Sequence, residues 1–441
     1  MAEPLISVDD FIAQLPRWLT EPGWRARDGA AQSLPLDHLL SRHLAQDVIA
    51  PMAVPAFDNS AMDGYALAAP EGDNAQTARY TVTQRIAAGQ TGQPLAPGEA
   101  ARIFTGAPVP PGSTHIVMQE HAQVSDGVLV LDERPLYPGQ HIRRRGEDLT
   151  QGQTVLRAQQ ALQAVDLALL ASLGLSHASV RPRLRVALLT TGDELTEPGQ
   201  PLAHGGVYSS TRHALRPLLT AWDAELVQVV HVRDNFDAMR QSLLDAAACA
   251  DLVLSTGGVS VGGEDHVKDA LEAVGALHSW RVAMKPGKPL ALGRISTAQG
   301  AVPFIGLPGN PVSSLVTALL FVRPALALLG LPAAGLDRLA HRPGLQLWPQ
   351  AVGGVLAQDV QGDLKRCEFL RLTPDADGRL RPLSRQGSGV LSSVAQASHL
   401  IRVDAGQTLA GSSVQPIWSL HELMTRPLDL STQIAAGDAS C

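Results

Sequence analysis

The sequence predicts a multidomain α/β plus β protein, and three observations carry that reading. Residues 183–330 alternate apolar runs of strand length with helix-spaced runs, the pattern of a mostly parallel sheet with helices on both faces, a three-layer α/β domain. Residues 80–130 and 331–425 carry short β-rich runs between Gly and Pro turns, the pattern of small β domains. Helix-spaced segments flank the first β region at Leu36–Val48 and Ala161–Leu173, so that region reads as an insert growing out of a helical domain. The expected division is a helical domain from 1–50 and 146–182, a β-rich insert over 51–145, the α/β domain over 183–330, a C-terminal β domain over 331–425 and a disordered tail over 426–441.

Composition narrows the function. The 441 residues are 45% hydrophobic, enough for ordinary cores. Aromatic residues at 4% leave few stacking platforms for single-stranded nucleic acid, and a formal net charge of -7 argues against a duplex-binding surface. No nucleic acid and no membrane is expected as a partner. The N-terminal MAEPLISVDDF has neither the basic nor the apolar region of a signal peptide, and runs such as LRPLL and ALLFV are broken by Pro or polar positions. The three cysteines, Cys249, Cys367 and Cys441, are scattered, which fits a reducing, cytoplasmic setting and excludes a CxxC zinc site. There is no GxxxxGK[ST], HExxH or GxSxG motif.

Taken in order, Ser7 and Asp10 form a capping pair before a short helix. Leu36, Leu39, Leu40, Leu44 and Val48 recur at helical spacing, predicting an amphipathic helix that ends before Pro51. Pro55–Leu67 is rich in turn formers, and its acids Asp58 and Asp63 either cap backbone or face a ligand. Strand-like runs YTVT, ARIF, HIVMQE and GVLVL follow, with Thr105 opening one of the turns between them. HIRRRGED, His141–Asp148, is either a solvated charge run or a phosphate clamp. The helical run ending at Gly174 closes this part of the chain.

In the α/β region every strand ends on something polar. TGDEL offers Asp193 and Glu194, VRDN offers Asp234 and Asn235, STGGVSVGGED offers Glu264 and Asp265, and GLPGNP makes a tight turn before a helix. Any one acid reads most simply as an N-cap, but four polar strand ends at one carboxyl edge mark a ligand site. Gly257 and Gly258 let backbone N–H groups approach an oxyanion, Glu264 and Asp265 suit a divalent cation, and Lys285 and Lys288 suit phosphate on a turn stiffened by Pro286 and Pro289. From the residues alone this is a site for a metal and an anion.

The segments FDNSAMDGYA (57–66), TGAPVP (105–110), IRRRGED (142–148), TGDEL (191–195), GGVSVG with Asp265 following, KPGKP (285–289) and GLPGNPVS (306–313) stand in that order. With them the chain resembles the molybdopterin molybdenumtransferases, the family that includes the E domain of gephyrin, from about residue 7 to about residue 420. The resemblance implies an elongated homodimer of four-domain subunits whose cleft is shared, the insert reaching the α/β domain of the other subunit. It implies a transferase of molybdenum cofactor biosynthesis that takes adenylylated molybdopterin and molybdate, inserts the metal at the dithiolene sulfurs and releases AMP with Mg2+ or a similar cation. The adenylylating enzyme and acceptor apo-molybdoenzymes are further implied partners.

The resemblance also implies site residues. Glu194, Asp234 and Asp265 would hold the cation or position water for cleavage of the phosphoanhydride. Lys285 and Lys288 would be point charges on phosphate or molybdate, and Arg143 a forked donor. Asp63, Thr105 and Asp148 would line the cleft from the insert. Gly257, Gly258, Ser260 and Arg281 would bind substrate, and Pro308 and Pro311 would shape a loop closed by Arg371 and Ser388. The chain departs from the family at Glu264 beside Gly263, at Arg281 where Lys is frequent and at Thr211 where Asn is common. The adenylylation step, run by a sibling family sharing the α/β domain, and a scaffold role are the alternatives; the full domain complement disfavours the first, and the intact acids and lysines the second.

Overall fold

The computed structural model describes residues 5–25, 29–70, 75, 77–259, 266–342, 344–431 and 433–434. The chain falls into two compact units, coarser than the expected four domains: 1–46 with 158–163 and 177–441, and 47–157 with 164–176. In the second unit, the β-rich stretch forms a six-stranded sheet in the order His115–Met118, Gly64–Leu67, Glu99–Ile103, Tyr80–Ile86, Val128–Leu131, Ala122–Ser125. The helix Ala164–Ser172 belongs to this unit, where Leu173 packs with Ala50 and Leu149.

The helix expected over Leu36–Val48 does not form. One 3-10 turn, Leu36–His38, and then extended chain up to a short strand, Val48–Ile49, take its place, and Ser41 has a φ of 63°. The reason is a distant carboxylate. Asp223 accepts the His43 backbone N–H at 3.1 Å, hydrogen-bonds the His43 ring at 2.9 Å and lies 2.7 Å from Arg42 Nε. A backbone donor held by a side chain is lost to the helical ladder. The expected packing of two helical segments is therefore not found: His43 is bridged to Ala161 and Leu44 to Val180 as extended chain, while the helix Ala164–Ser172 belongs to the other unit.

The larger unit is organised by six strands: β1 (Leu184–Thr191), β2 (Ala224–Val232), β3 (Leu252–Thr256), β4 (Gly275–Trp280), β5 (Ala291–Thr297) and β6 (Gly300–Leu307). Their order is β2-β1-β3-β6-β5-β4, with β2, β1, β3 and β6 parallel and β5 antiparallel to both its neighbours. Side chains alternate between faces, and each face has its own core. Leu184, Val186, Leu188 and Leu254 lie on one face, under α1 (Thr211–Ala221) and the N-terminal helix Val8–Leu19. Ala187, Leu189 and Val253 point to the other, under α2 (Phe236–Cys249) and α3 (His266–Val274). These are the three layers expected. Ser7 caps the N-terminal helix as predicted, accepting the Asp10 N–H at 3.0 Å.

The next helix, α4 (Pro311–Leu329), corrects the reading of the apolar runs. It has the length and apolarity of a membrane span, yet 94% of its apolar stretch is buried inside this unit. The polar positions that interrupt the sequence find partners within: Thr317 Oγ1 donates to the Ser313 carbonyl at 2.8 Å, and Arg323 donates through Nε and Nη2 to the Arg426 and Pro427 carbonyls at 2.9 and 3.1 Å, while its Nη1 has no partner. Burial pushes the Arg323 pKa down to about 10.

Residues from 331 onward do not turn directly to β structure, because a helix, Ala333–Ala340, comes first. The C-terminal sheet then has the order Met284–Lys285, Cys367–Pro374, His399–Val403, Val414–Ser419, Val352–Val355, so its edge strand comes from the α/β region. The tail also departs from expectation. Leu428 and Leu430 are buried, and Gln433 exchanges hydrogen bonds of 3.0 and 2.8 Å with the Gln346 backbone, so packing continues well past residue 426. Apolar burial outweighs the ordering cost there. Residues 435–441, Cys441 among them, lie outside the described residues.

Two predictions follow the packing. The fully buried rings of Phe11 and Phe321 meet edge to face at 4.9 Å. Phe321→Ala is expected to lower the unfolding free energy by about 3–5 kcal/mol in a denaturant titration. Burial also holds the His43 imidazole below its usual pKa, against the opposing hydrogen bond from Asp223. The unfolded chain gains this proton below about pH 6.5 and the folded chain only lower, so stability present at neutral pH falls on acidification, by up to about 1.4 kcal/mol per pH unit. Unfolding measured at several pH values should show a shallower slope for His43→Gln.

Candidate functional site

The site rests on the register of three parallel strands. Thr190 of β1 lies beside Thr256 of β3, and Thr256 beside Leu307 of β6, so TGDEL, STGG and GLPGNP leave the sheet side by side. The order of strands reverses between β1 and β3, where ligands bind in open α/β sheets. Gly257 and Gly258 follow β3 with φ of 83° and 65°, a region that favours glycine. A Cβ on Gly257 would lie 2.6 Å from Thr191 Oγ1, and one on Gly258 2.4 Å from Val267 Cγ2. The Gly257 N–H donates to the Leu307 carbonyl at 3.1 Å. That amide is therefore occupied, and the role of Gly257 here is close packing of loops rather than the expected oxyanion contact. Ser260, Glu264 and Asp265 lie outside the described residues.

Carboxylates gather where β1 and β2 end, because Thr191 is paired with Val232. Asn235, not Asp234, caps α2, its Oδ1 accepting the Ala238 N–H at 2.8 Å. The Asp234 carboxylate is thus not used as the cap. Burial raises its pKa, the charges of Asp193 and Glu194 raise it further, and the Asp193 N–H and His266 oppose them. Asp193, which reads in sequence as a cap, therefore belongs with Glu194 and Asp234. Among the described residues no three His, Cys, Asp or Glu side chains converge closely enough to hold a metal by themselves. Crowded oxygen donors with excess negative charge do suit a hard divalent cation, and Glu194 and Asp234 are the described pair that offers them.

The cations come from two regions of the unit. Lys285 lies in the short strand Met284–Lys285, and its Nζ is 2.9 Å from Glu368 Oε1. Lys288 is exposed, while its carbonyl accepts the Val282 N–H at 3.0 Å. Arg281 has a φ of 77° and donates its backbone N–H to the Leu290 carbonyl at 3.0 Å. Pro311 opens α4, and Ser314 Oγ turns back to the carbonyls of Pro308 and Asn310. The Val312 N–H donates to the Ser388 carbonyl at 3.0 Å, which ties the GLPGNP turn to QGSG.

Arg371 belongs to the same assembly. It is 0% exposed, and burial lowers its pKa. Its Nη2 makes long contacts of 3.3 and 3.4 Å to the carbonyls of Arg385 and Gly387, and Gln386 brackets its backbone. Its Nε and Nη1 have no hydrogen-bond partner. A buried guanidinium with two open donors is costly unless an anion completes it.

The other unit gathers its own motifs at one end. Ser60 and Ala107 exchange backbone bonds with their neighbours (Ser60 N–H to the Ala107 carbonyl at 3.0 Å, Gly106 N–H to the Ser60 carbonyl at 2.8 Å), and Arg143 is paired with Asn59. Asp63 Oδ1 accepts the Thr105 N–H at 2.8 Å and its hydroxyl at 2.7 Å, bonds that hold the Asp63 carboxyl below its usual pKa. Asp58 is occupied by Arg144 at 2.7 Å and the Arg145 N–H at 2.8 Å. Arg143 and Asp148 have exposed side chains. Sequence reasoning missed Glu368; its one signal is an acid inside the apolar strand run CEFLRL.

Comparison with known proteins gives a consistent picture. Residues 6–174 match a family model described as "MoeA N-terminal region (domain I and II)", and residues 187–328 one described as "Probable molybdopterin binding domain". The chain is 36% identical over 391 residues to a molybdopterin molybdenumtransferase of Haemophilus influenzae, covering 86% of this chain and 92% of the relative. It is 40% identical over 313 residues to molybdopterin molybdenumtransferase 2 of Mycobacterium tuberculosis, covering 68% and 76%. Gephyrin of Dictyostelium discoideum is 30% identical over 427 residues, covering 86% of this chain and 58% of that one. Among solved structures, the molybdopterin biosynthesis moeA protein of Pyrococcus horikoshii OT3 superposes with a TM-score of 0.74 at 25% identity, covering 94% of this chain and 99% of the other.

Arg371 gives a test that separates folding from binding. Arg371→Met should leave the unfolding free energy within about 1 kcal/mol of wild type or raise it, because a buried charge is replaced by an apolar side chain. Phosphate, used as a tetrahedral oxyanion, should raise the melting temperature of wild type and no longer raise that of the variant. An equal shift in both would remove Arg371 from the anion site.

Proposed function

The chain belongs to the molybdopterin molybdenumtransferase family, and from that premise we propose that it performs metal insertion in molybdenum cofactor biosynthesis. Molybdate joins the dithiolene sulfurs of adenylylated molybdopterin, and AMP leaves. The observation that carries this reading is Arg371, fully buried with Nε and Nη1 open. It shares a strand-linked assembly with Lys285 and, through Gly387 and Ser388, with the start of α4. Both substrates are anionic, and cations from Lys285, Lys288 and Arg371 would neutralise them.

Glu194 and Asp234, with Asp265, would hold a divalent cation such as Mg2+. Bound there, it would draw charge from the phosphoanhydride oxygens. The burial and acid crowding that raise the Asp234 pKa in the ion-free chain would be offset by the cation, so the same acids would hold it and orient a water toward phosphorus as the anhydride P–O bond breaks. In a homodimer, Asp63, Thr105, Arg143 and Asp148 of the insert would complete the cleft on the α/β region of the partner chain, in line with the family resemblance. Cytoplasmic partners would be the adenylylating enzyme before this step and apo-molybdoenzymes after it.

The test is AMP release from adenylylated molybdopterin with Mg2+, with and without molybdate. Wild type should release AMP in a molybdate-dependent way, and Glu194→Gln should slow release roughly 100-fold or more. ATP consumption with free molybdopterin would point instead to adenylylation. A folded protein inactive in both assays would overturn an enzymatic reading.

A further inference from the structure

Lys285 and Lys288 read alike in KPGKP, but the structure separates them. Lys288 is exposed, whereas Lys285 is held by an acid from the C-terminal sheet. Parallel pairing sets Met284 beside Cys367 and Lys285 beside Glu368, so the two side chains start from neighbouring backbone positions. The Cys367 N–H donates to the Ala283 carbonyl at 3.0 Å and fixes that register. Glu368 is 7% exposed, and among the described residues Lys285 is the side chain that meets its carboxylate. Asp363 also feels the Lys285 charge, but its oxygens are engaged by the Lys365 and Arg366 N–H groups and the Arg366 guanidinium. Arg371 stands three residues beyond Glu368 on the same strand and so points to the opposite face, with Cys367 and Phe369, although its guanidinium still feels the Glu368 charge.

We infer that Glu368 is a positioning residue for the metal-insertion step: it fixes the Lys285 ammonium in place and moderates the grip of that ammonium on an oxyanion. This rests on the function proposed above and goes beyond it. A free lysine must lose the motion of four side-chain bonds when it meets a substrate. An ion pair formed on folding removes that loss from the binding step, so the ammonium is oriented before the anion arrives. The same carboxylate offsets the charge of the Lys285 ammonium. The oxyanion is then bound less tightly than a bare ammonium would bind it, which favours release after transfer.

The two effects pull binding and turnover in opposite directions, and a purely structural acid would not. Glu368→Gln keeps the shape and removes the charge. Molybdate binding measured by calorimetry should tighten roughly 10-fold, since a nearby like charge is gone. AMP release at saturating molybdate should fall roughly 10-fold, because the ammonium is no longer held. Lys285 should be acylated faster by an amine reagent, read by mass spectrometry. Glu368→Asp restores the charge but is one methylene short of the lysine, so molybdate affinity should return toward wild type while turnover stays low. Unchanged Lys285 acylation in Glu368→Gln, or weaker molybdate binding with a lowered melting temperature, would overturn the inference. Wild type that binds no molybdate and releases no AMP would overturn the functional reading instead, and the acylation comparison would still report whether Glu368 holds Lys285.

Discussion

The parallel register of β1, β3 and β6 is the constraint on which the rest depends. It brings three loops out of one edge, and with them the acids after β1 and β2 and the turn that opens α4. The two cores hold this register by size. One face is rich in Leu, with Leu184, Leu188, Leu254 and Leu292; the other carries Ala187 and Ala291 against Ala246 and Ala247 of α2. Sliding one strand by a single residue would turn its side chains to the opposite faces, setting leucines where alanines now pack and leaving voids where leucines were. The chemistry at the edge is thus positioned by packing that never touches it.

Charge is distributed with similar economy. A chain with a formal net charge of -7 must concentrate its cations to attract an anion. One strand of the C-terminal sheet, Cys367–Pro374, contributes both the buried Arg371 and the acid that holds Lys285. The open donors of Arg371 weigh against the ligand-free fold, which is the usual relation between a prepared site and stability.

Much of this was legible in the sequence, and the misses share a cause. The alternation of strands and helices predicted the three layers, and the polar strand ends predicted the loops that leave one edge of the sheet together. Those signals are local in the chain. The failed helix at Leu36–Val48 turned on Asp223, and Glu368 acquires meaning only beside Lys285. The Gly257 amide, expected to face a ligand, was claimed by Leu307 on a neighbouring strand. In each case a partner far along the chain decided the outcome, and no window of neighbouring residues contains it. Where Asp234 and Asn235 stood together, only geometry could assign the cap to Asn235 and leave Asp234 with the acids.

The buried α4 helix has a consequence for synthesis. Its apolar surface shares one core with Phe11 and Trp18 near the start of the chain and with Leu428 and Leu430 near its end. While the ribosome is still making the C-terminal sheet, part of that surface has no cover. A nascent segment of 19 residues, apolar along most of its length, has the credentials of a membrane anchor in that state, and the N-terminal helix is the part of its cover that has already been made.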